Sequence, residues 1–229
     1  VDLGISHRRL CQKLNALDLS LKDISALFIT HEHKDHVSGL PTFMKTCDIN
    51  VFAKENTWRN MPNWRDLRKN YCQKLRGSVV LGSLRVDPFA ISHDAAEPVG
   101  FNMYTDNAKC SILTDVGFPG AAVRECIRNA DYLVLEANHD LQMLQNGSYP
   151  AFLKQRIRSN KGHLSNEDAA WLLNNIAEAK SMKVILAHLS GENNTPEIAL
   201  NTVRGILKLN NKLDKIKLQV ALQDTTISM

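Results

Sequence analysis

The stretch Thr30-His31-Glu32-His33-Lys34-Asp35-His36 directly follows the apolar run Ile24-Ser25-Ala26-Leu27-Phe28-Ile29. An apolar run that stops at a loop dense in histidine and aspartate reads as a β-strand carrying a metal-binding loop at its end. In an extended chain, residues i and i+2 point the same way, so His31 and His33 converge on one ion while Asp35 and His36 face elsewhere. Imidazole suits zinc, manganese or iron, and a carboxylate close by can serve a second ion. Glu32 and Lys34 lie out of phase and are not expected to ligate. The apolar sequence Val37-Ser38-Gly39-Leu40-Pro41-Thr42-Phe43-Met44 predicts a helix whose positive N-terminal end lies near the loop. The competing reading is a solvated polar loop.

A metal site needs further ligands, and three other apolar runs end the same way. Arg85-Val86-Asp87-Pro88-Phe89-Ala90-Ile91 leads into Ser92-His93-Asp94, Ser111-Ile112-Leu113-Thr114 into Asp115-Val116-Gly117, and Lys183-Val184-Ile185-Leu186-Ala187 into His188. Singly, Asp115 with Gly117 is also compatible with a turn, and His93 and His188 with structural histidines at sheet edges. Together with His163, these positions account for six of the chain's eight histidines.

These motifs, in this order, resemble those of the metallo-β-lactamase superfamily over nearly the whole chain, with Val1-Asp2-Leu3-Gly4 similar to that family's early strand-end Asp motif. The resemblance implies an α/β fold, a four-layer αββα sandwich with metals at the strand ends. It implies two divalent ions, zinc or manganese, with His31, His33 and His93 on one, Asp35, His36 and His188 on the other, and Asp115 bridging. Three finer stretches resemble the YycJ/WalJ branch, whose members resemble 5′ to 3′ DNA exonucleases: Ser92 to Gly100, Leu135-Glu136-Ala137-Asn138-His139-Asp140, and Lys161-Gly162-His163-Leu164-Ser165-Asn166 with Ala187 to Asn194. Proteins of this fold carry one or two strands and a Ser/Gly-rich loop ahead of the Val-Asp-x-Gly position. The resemblance therefore implies either a segment before Val1 or an incomplete edge of the first sheet.

Composition is compatible with one larger domain over residues 1–229. No apolar run approaches the ~20 residues of a membrane span, so no membrane partner is expected. The five cysteines (Cys11, Cys47, Cys72, Cys110, Cys126) are odd in number and far apart. That pattern suggests reduced thiols in the cytoplasm and offers no zinc-ribbon spacing. Strands are expected near 24–30, 49–53, 79–91, 99–105, 109–114, 132–136, 183–187 and 216–222, and helices near 37–47, 57–75, 120–130, 165–179 and 196–209. Ser165-Asn166-Glu167-Asp168 resembles a capping box, and Thr195-Pro196 an N-cap followed by proline.

The net charge of +4 is modest but uneven. Residues 54–76, expected as a basic helical insertion, hold seven basic residues (Lys54, Arg59, Arg65, Arg68, Lys69, Lys74, Arg76) against two acidic ones, with Trp58, Trp64 and Tyr71 among them. Cations attract phosphates and aromatic faces stack on bases, so Arg65, Arg68 and Lys69 are candidate substrate contacts. The alternative is a helix whose aromatics are core, with Trp58, Leu67 and Tyr71 sharing a buried face. A second basic run, Lys154 to Lys161, leads to His163 and makes Lys161 a further candidate.

His163 is the candidate beyond the metal ligands. Gly162 allows close backbone approach, and Gly162-His163 looks like the Gly-His element of the RNase Z group, where that His contacts the scissile phosphate. Such a His would stabilise developing charge or protonate the departing oxygen, with Asp35 holding the attacking water. A helix-start histidine that merely fixes the loop is the alternative. Glu136 is a candidate to orient a neighbouring His, and His139 to be a reserve ligand or structural residue. Metal-assisted phosphodiester hydrolysis is the expected reaction, with DNA the favoured partner through the resemblance alone and the oligomeric state open. The same ligands would also suit a small-substrate hydrolase (lactonase, thioesterase or cyclic phosphodiesterase). A metal-stabilised nucleic-acid-binding module without turnover is a third reading.

Overall fold

The structure, a computed structural model, describes residues 1–177, 181–223 and 225–227. It divides into two compact units, residues 1–82 with 95–99 and residues 83–94 with 100–229, each with its own apolar core. The chain is a mixed α/β protein with two sheets.

In the first unit the elements are α1 (His7–Asn15), β1 (Ala26–Phe28), α2 (Lys34–Val37), α3 (Leu40–Thr46), β2 (Asn50–Ala53), α4 (Glu55–Asn60), β3 (Cys72–Lys74) and β4 (Val79–Leu81). Strands β1, β2 and β3 form a parallel sheet in that order, with Phe28 opposite Phe52 and Val51 opposite Cys72. Leu40, Phe43 and Met44 lie at helical i, i+3, i+4 spacing, so one face of α3 buries all three beside Ile29, Val51 and Ala53.

Two expectations are corrected in this unit. The helix expected over 37–47 is two helices, because the chain is pinned at Gly39: its N–H donates to the Leu3 carbonyl, and a Cβ there would lie 2.0 Å from the Ile5 carbonyl oxygen. The segment expected to be helical over 57–75 is helical only through α4, followed by two 3₁₀ turns, Trp64–Asp66 and Lys69–Tyr71, and then β3. Pro62 disfavours helical backbone at Met61, which is extended, and Asn63 turns the chain in the left-handed region at φ 58°. Trp58 and Leu67 are nevertheless buried, and Tyr71 packs on the same core, so these three side chains share an apolar cluster without sharing a helix.

The second unit contains β5 (Leu84–Ala90), β6 (Val99–Tyr104), β7 (Lys109–Leu113), α5 (Ala121–Ile127), β8 (Tyr132–Glu136), α6 (Leu141–Asn146), α7 (Ala151–Ile157), α8 (Asn166–Ile176), β9 (Met182–Ala187), α9 (Pro196–Leu209) and β10 (Ile216–Val220). Its strands run in the order β10-β9-β8-β7-β6-β5, and the pairs β10–β9, β9–β8 and β8–β7 are parallel. The strand expected over 79–91 is broken by Gly82, whose φ of +60° turns the chain between β4 and β5. Helices α8 and α9 bury Leu172, Leu173, Ile176, Val203 and Leu207 in the core that holds Leu133, Leu135, Val184 and Leu186. Both expected caps are present: Ser165 and Asp168 form a reciprocal capping box, and Thr195 accepts from the Ile198 N–H ahead of Pro196. Residues 178–179 of the helix expected over 165–179 lie outside the described residues. Helices α1, α6 and α7 were not expected; α1 and α7 bury no residue fully.

The register places chemistry at one sheet edge. Leu113 pairs with Leu135, and Leu135 with Leu186, so the parallel strands β7, β8 and β9 end level and deliver Asp115, Glu136 and His188 to the same edge. Asp115 and His188 turn off their strands in the left-handed region, at φ 57° and 56°. The loop before α8 packs closely on the turn after β7: a Cβ on Gly117 would meet Asn160 backbone at 2.4 Å, and one on Gly162 the Ile157 carbonyl oxygen at 2.0 Å. Gly117→Ala must displace backbone rather than a flexible side chain. We expect urea unfolding to show a loss of about 1–3 kcal/mol, the usual cost of overpacking; unchanged stability would refute the tight approach.

Candidate metal centre

In the first unit the structure brings His31, His33, Asp35 and His36 together on the loop after β1 and the first turn of α2. The His31 ring lies 4.5 Å from that of His33 and 4.1 Å from that of His36, centroid to centroid. His33 is the N-cap of α2 and its carbonyl accepts from the His36 N–H. That turn folds the His36 ring back onto that of His31. Asp35 is exposed, with Oδ2 3.5 Å from His36 Nε2. Glu32 is tied up elsewhere, accepting from the Ala96 N–H at 2.7 Å.

Asp2 organises this loop. Its Oδ1 accepts from the Thr30 N–H, and its Oδ2 from both the Thr30 hydroxyl and His36 Nδ1, each at 2.8 Å. Thr30 has a single hydroxyl proton, and a carboxylate only accepts; the 2.9 Å contact between Thr30 Oγ1 and His31 Nδ1 is therefore donated by the imidazole. Both histidines thus carry their proton on Nδ1 and present a lone pair on Nε2.

In the second unit Asp115, His163 and His188 come together with Glu136, and His93 lies beside Asp115 and the His163 ring. The fully buried Glu136 accepts four hydrogen bonds, from His163 Nδ1 (2.8 Å) and His188 Nδ1 (2.7 Å) on Oε1, and from the Val116 (3.1 Å) and Leu164 (3.0 Å) N–H groups on Oε2. His93 Nδ1 donates to the Gly162 carbonyl at 3.2 Å. Asp115 Oδ1 lies 3.8, 3.7 and 3.6 Å from the facing nitrogens of His93, His163 and His188. Asp115, Glu136, His163 and His188 each offer a ligand atom within 4.8 Å of the others. His163 Nδ1 and His188 Nδ1, however, both donate to Glu136 Oε1, which leaves Nε2 of each imidazole for a ligand.

Burial pushes Glu136 up, but hydrogen bonds from His163 and His188 more than offset this and hold it below the ordinary carboxylate range. Burial likewise pulls His163 down, and the Glu136 carboxylate overcomes that, leaving it raised. His93 is lowered by burial against the opposing pull of Asp115.

The donor chemistry fits divalent ions. Imidazole Nε2 lone pairs fixed by an oxygen on Nδ1, with carboxylates beside them, are the usual supports of a zinc or manganese ligand. The comparisons agree. The Beta-lactamase superfamily domain model matches residues 2–189. The chain belongs to the metallo-β-lactamase superfamily. It is 36% identical over 214 residues to the exodeoxyribonuclease YycJ of Bacillus anthracis, covering 91% of this chain and 80% of that protein. To the exodeoxyribonuclease WalJ of Streptococcus pneumoniae serotype 2 (strain D39) it is 35% identical over 208 residues, covering 89% and 77%. Among solved structures, the metallo-β-lactamase fold protein YhfI of Bacillus subtilis superposes with a TM-score of 0.62 at 11% identity, over 88% of this chain and 76% of that one. The chain is a metallo-β-lactamase-fold hydrolase of the YycJ/WalJ branch, and among its described residues no helix is long and apolar enough to cross a membrane.

Within this metallo-β-lactamase frame the remaining candidates separate. Arg68 is engaged in structure: it pairs with Asp48 at 2.7 Å, donates to the Met44 carbonyl and lies 4.4 Å over the Tyr71 ring. Arg65 and Lys161 are exposed, and Lys69 lies 3.9 Å over the Trp64 ring. Asp2 and Thr30 were not singled out as site residues from sequence, although Val1-Asp2-Leu3-Gly4 marked the position. Glu136 carried the same strand-end signal as the ligands. Asp94, which pairs with Arg156 and lies 3.4 Å from His93 Nε2, gave none.

His139 is buried, with no hydrogen-bond partner on Nδ1 among the described residues, and burial lowers it from 6.5 to about 4. Between pH 6.5 and 4 the unfolded chain takes up this proton and the folded one does not, so stability falls as pH falls. We expect His139→Gln to flatten that acid limb in denaturation measured from pH 7 to 4; an unchanged slope would show that His139 does not contribute. For Glu136→Gln the expected result is a lower titration midpoint for His163 in the metal-free protein, read from imidazole NMR signals, because the raising charge is gone. A midpoint that does not move would overturn the role given to Glu136.

Proposed function

We propose that the protein is a dinuclear metal-dependent phosphodiesterase acting as a 5′ to 3′ exonuclease on DNA, in the cytoplasm. The observation that carries this is identity above one third, over about nine-tenths of the chain, to two proteins named exodeoxyribonucleases. His31, His36, His93, His163 and His188, each fixed through Nδ1, support it. In this reading His31, His33 and His93 hold one divalent ion, Asp35, His36 and His188 the other, and Asp115 serves both. Bound ions, zinc or manganese, would supply Lewis acidity toward phosphate and water.

The chain's own residues do the rest. Asp35, exposed at the start of α2, orients the attacking water through its carboxylate. His163, kept protonated on Nδ1 by Glu136, presents Nε2 to the scissile group; a second proton there, favoured by its raised pKa, passes to the departing oxygen. Arg65, Arg68, Lys69 and Lys161 contribute cationic contacts to the phosphate backbone, with Arg68 also holding Asp48.

Bis-p-nitrophenyl phosphate should be hydrolysed, the activity should disappear with EDTA, and zinc or manganese should restore it. On end-labelled single- and double-stranded DNA and RNA, the expected pattern is mononucleotide release from the 5′ end of DNA. Release from the 3′ end, or none from DNA, would refute the exonuclease assignment. His163→Ala should retain both ions by metal analysis and lose ~10²–10⁴ in turnover, the size of a lost acid–base contribution. His31→Ala should lose metal and activity together, and Asp115→Ala should lower the metal content at both positions. Full activity in His163→Ala, or two full metal equivalents in Asp115→Ala, would remove those assignments.

A further inference from the structure

Trp64 is the aromatic residue in the basic segment that the core does not account for. Trp58 is buried at 4% exposure, its indole N–H donating to the Gln73 carbonyl at 2.9 Å, whereas Trp64 is 39% exposed. The two ring centroids are 5.7 Å apart at 49°, so the buried indole backs the exposed one and restrains its plane. Beside them lies a pocket of about 390 Å³ lined by Glu55, Trp58, Arg59, Trp64, Cys72 and Lys74. That volume lies in the range of small-ligand clefts, about 300–1,000 Å³.

The charges select the occupant. Glu55 Oε1 accepts from Arg59 at 2.8 Å and from Lys74 at 3.1 Å, so one carboxylate meets two cations, and Lys69 adds a third, 3.9 Å over the Trp64 ring. A cationic rim around aromatic walls disfavours an organic cation and favours a flat π-system attached to an anion. Cys72 supplies wall rather than chemistry: burial raises its thiol, which donates to the Arg68 carbonyl. A nucleotide has the required shape and charge, and only in a single strand is its base face free to leave its neighbours.

We propose that Trp64, backed by Trp58 and flanked by Lys74, stacks one nucleobase of a single-stranded polynucleotide, the base replacing the Lys69 ammonium over the ring and leaving that cation to a phosphate. This rests on the nucleic-acid reading above. It adds a base-dependent, sequence-tolerant contact to the purely electrostatic ones, since every base has a π-face.

The test compares two fluorescent strands of equal length with phosphorothioate linkages to resist cleavage, an oligothymidylate and its abasic analogue, binding to the metal-loaded protein by anisotropy. Wild type should prefer the base-bearing strand. Trp64→Ala should weaken that strand by roughly tenfold, within the span of a lost base stack, and the abasic strand by less than about twofold. Trp64→Leu, which keeps apolar bulk against Trp58 without a π-face, should behave like Ala, and Trp64→Phe should retain most of the affinity. Equal losses on the two strands, or full base-dependent affinity in Trp64→Leu, would overturn the stacking site. Equal wild-type affinity for both strands would overturn it while leaving the nuclease reading intact. Failure of wild type to bind either strand or to hydrolyse bis-p-nitrophenyl phosphate would sink both.

Discussion

A neutral imidazole has one proton and two nitrogens, and which nitrogen is free to ligate depends on what the other is bonded to. In this chain five of the site's imidazoles have the question settled by oxygens that are not themselves ligands. Asp2 and Thr30 hold the Nδ1 protons of His36 and His31, the Gly162 carbonyl that of His93, and Glu136 those of His163 and His188. Glu136 is the most constrained of these supports. Its desolvation is large, and it remains ionised because two imidazoles and two backbone N–H groups replace the lost water. Removing the carboxylate would leave four donors unmet, two of them imidazoles, so the geometry of both histidines depends on it.

That dependence explains the architecture around it. Parallel β7, β8 and β9 end level only because their registers match, and matching registers bring Asp115, Glu136 and His188 to one edge. The loop carrying His163 is held against the same edge by a backbone contact that only glycine permits at Gly117, and it turns tightly on the end of α7 through Gly162. Ser92 Oγ donates to the Asn160 carbonyl and the Asp94 N–H to the Lys161 carbonyl, so the strand end bearing His93 is fastened to the loop bearing His163.

What could be read in the sequence follows from whether the signal was local. The strand ends were legible because an apolar run stopping at His or Asp needs no knowledge of partners. Helix α9 was legible because Thr195-Pro196 caps it in place. The ligand supports were not, since Asp2 meets Thr30 and His36 across 28 and 34 residues, and Glu136 meets His188 across 52. The segment 57–75 misled because Trp58, Leu67 and Tyr71 all pack on one core, but from a helix and two 3₁₀ turns; Met61-Pro62-Asn63 was the local mark of that interruption. Helix α1, capped by Ser6, packs Leu10 against the first unit's core but buries none of its residues fully, and its two leucines one turn apart make a stripe too short to stand out among its polar neighbours.

Asp2, Asp115 and His188 all sit at positive φ, a region that Asp, Asn and His tolerate several-fold better than most residues and that β-branched side chains avoid. The residues tolerated there overlap with those that bind metals or hold imidazoles. Backbone shape therefore narrows the replacements these positions accept before any ion enters. A library at Asp115 or His188 would be filtered twice, first by folding and then by ligation, and the survivors of the first filter would already be enriched in side chains competent for the second.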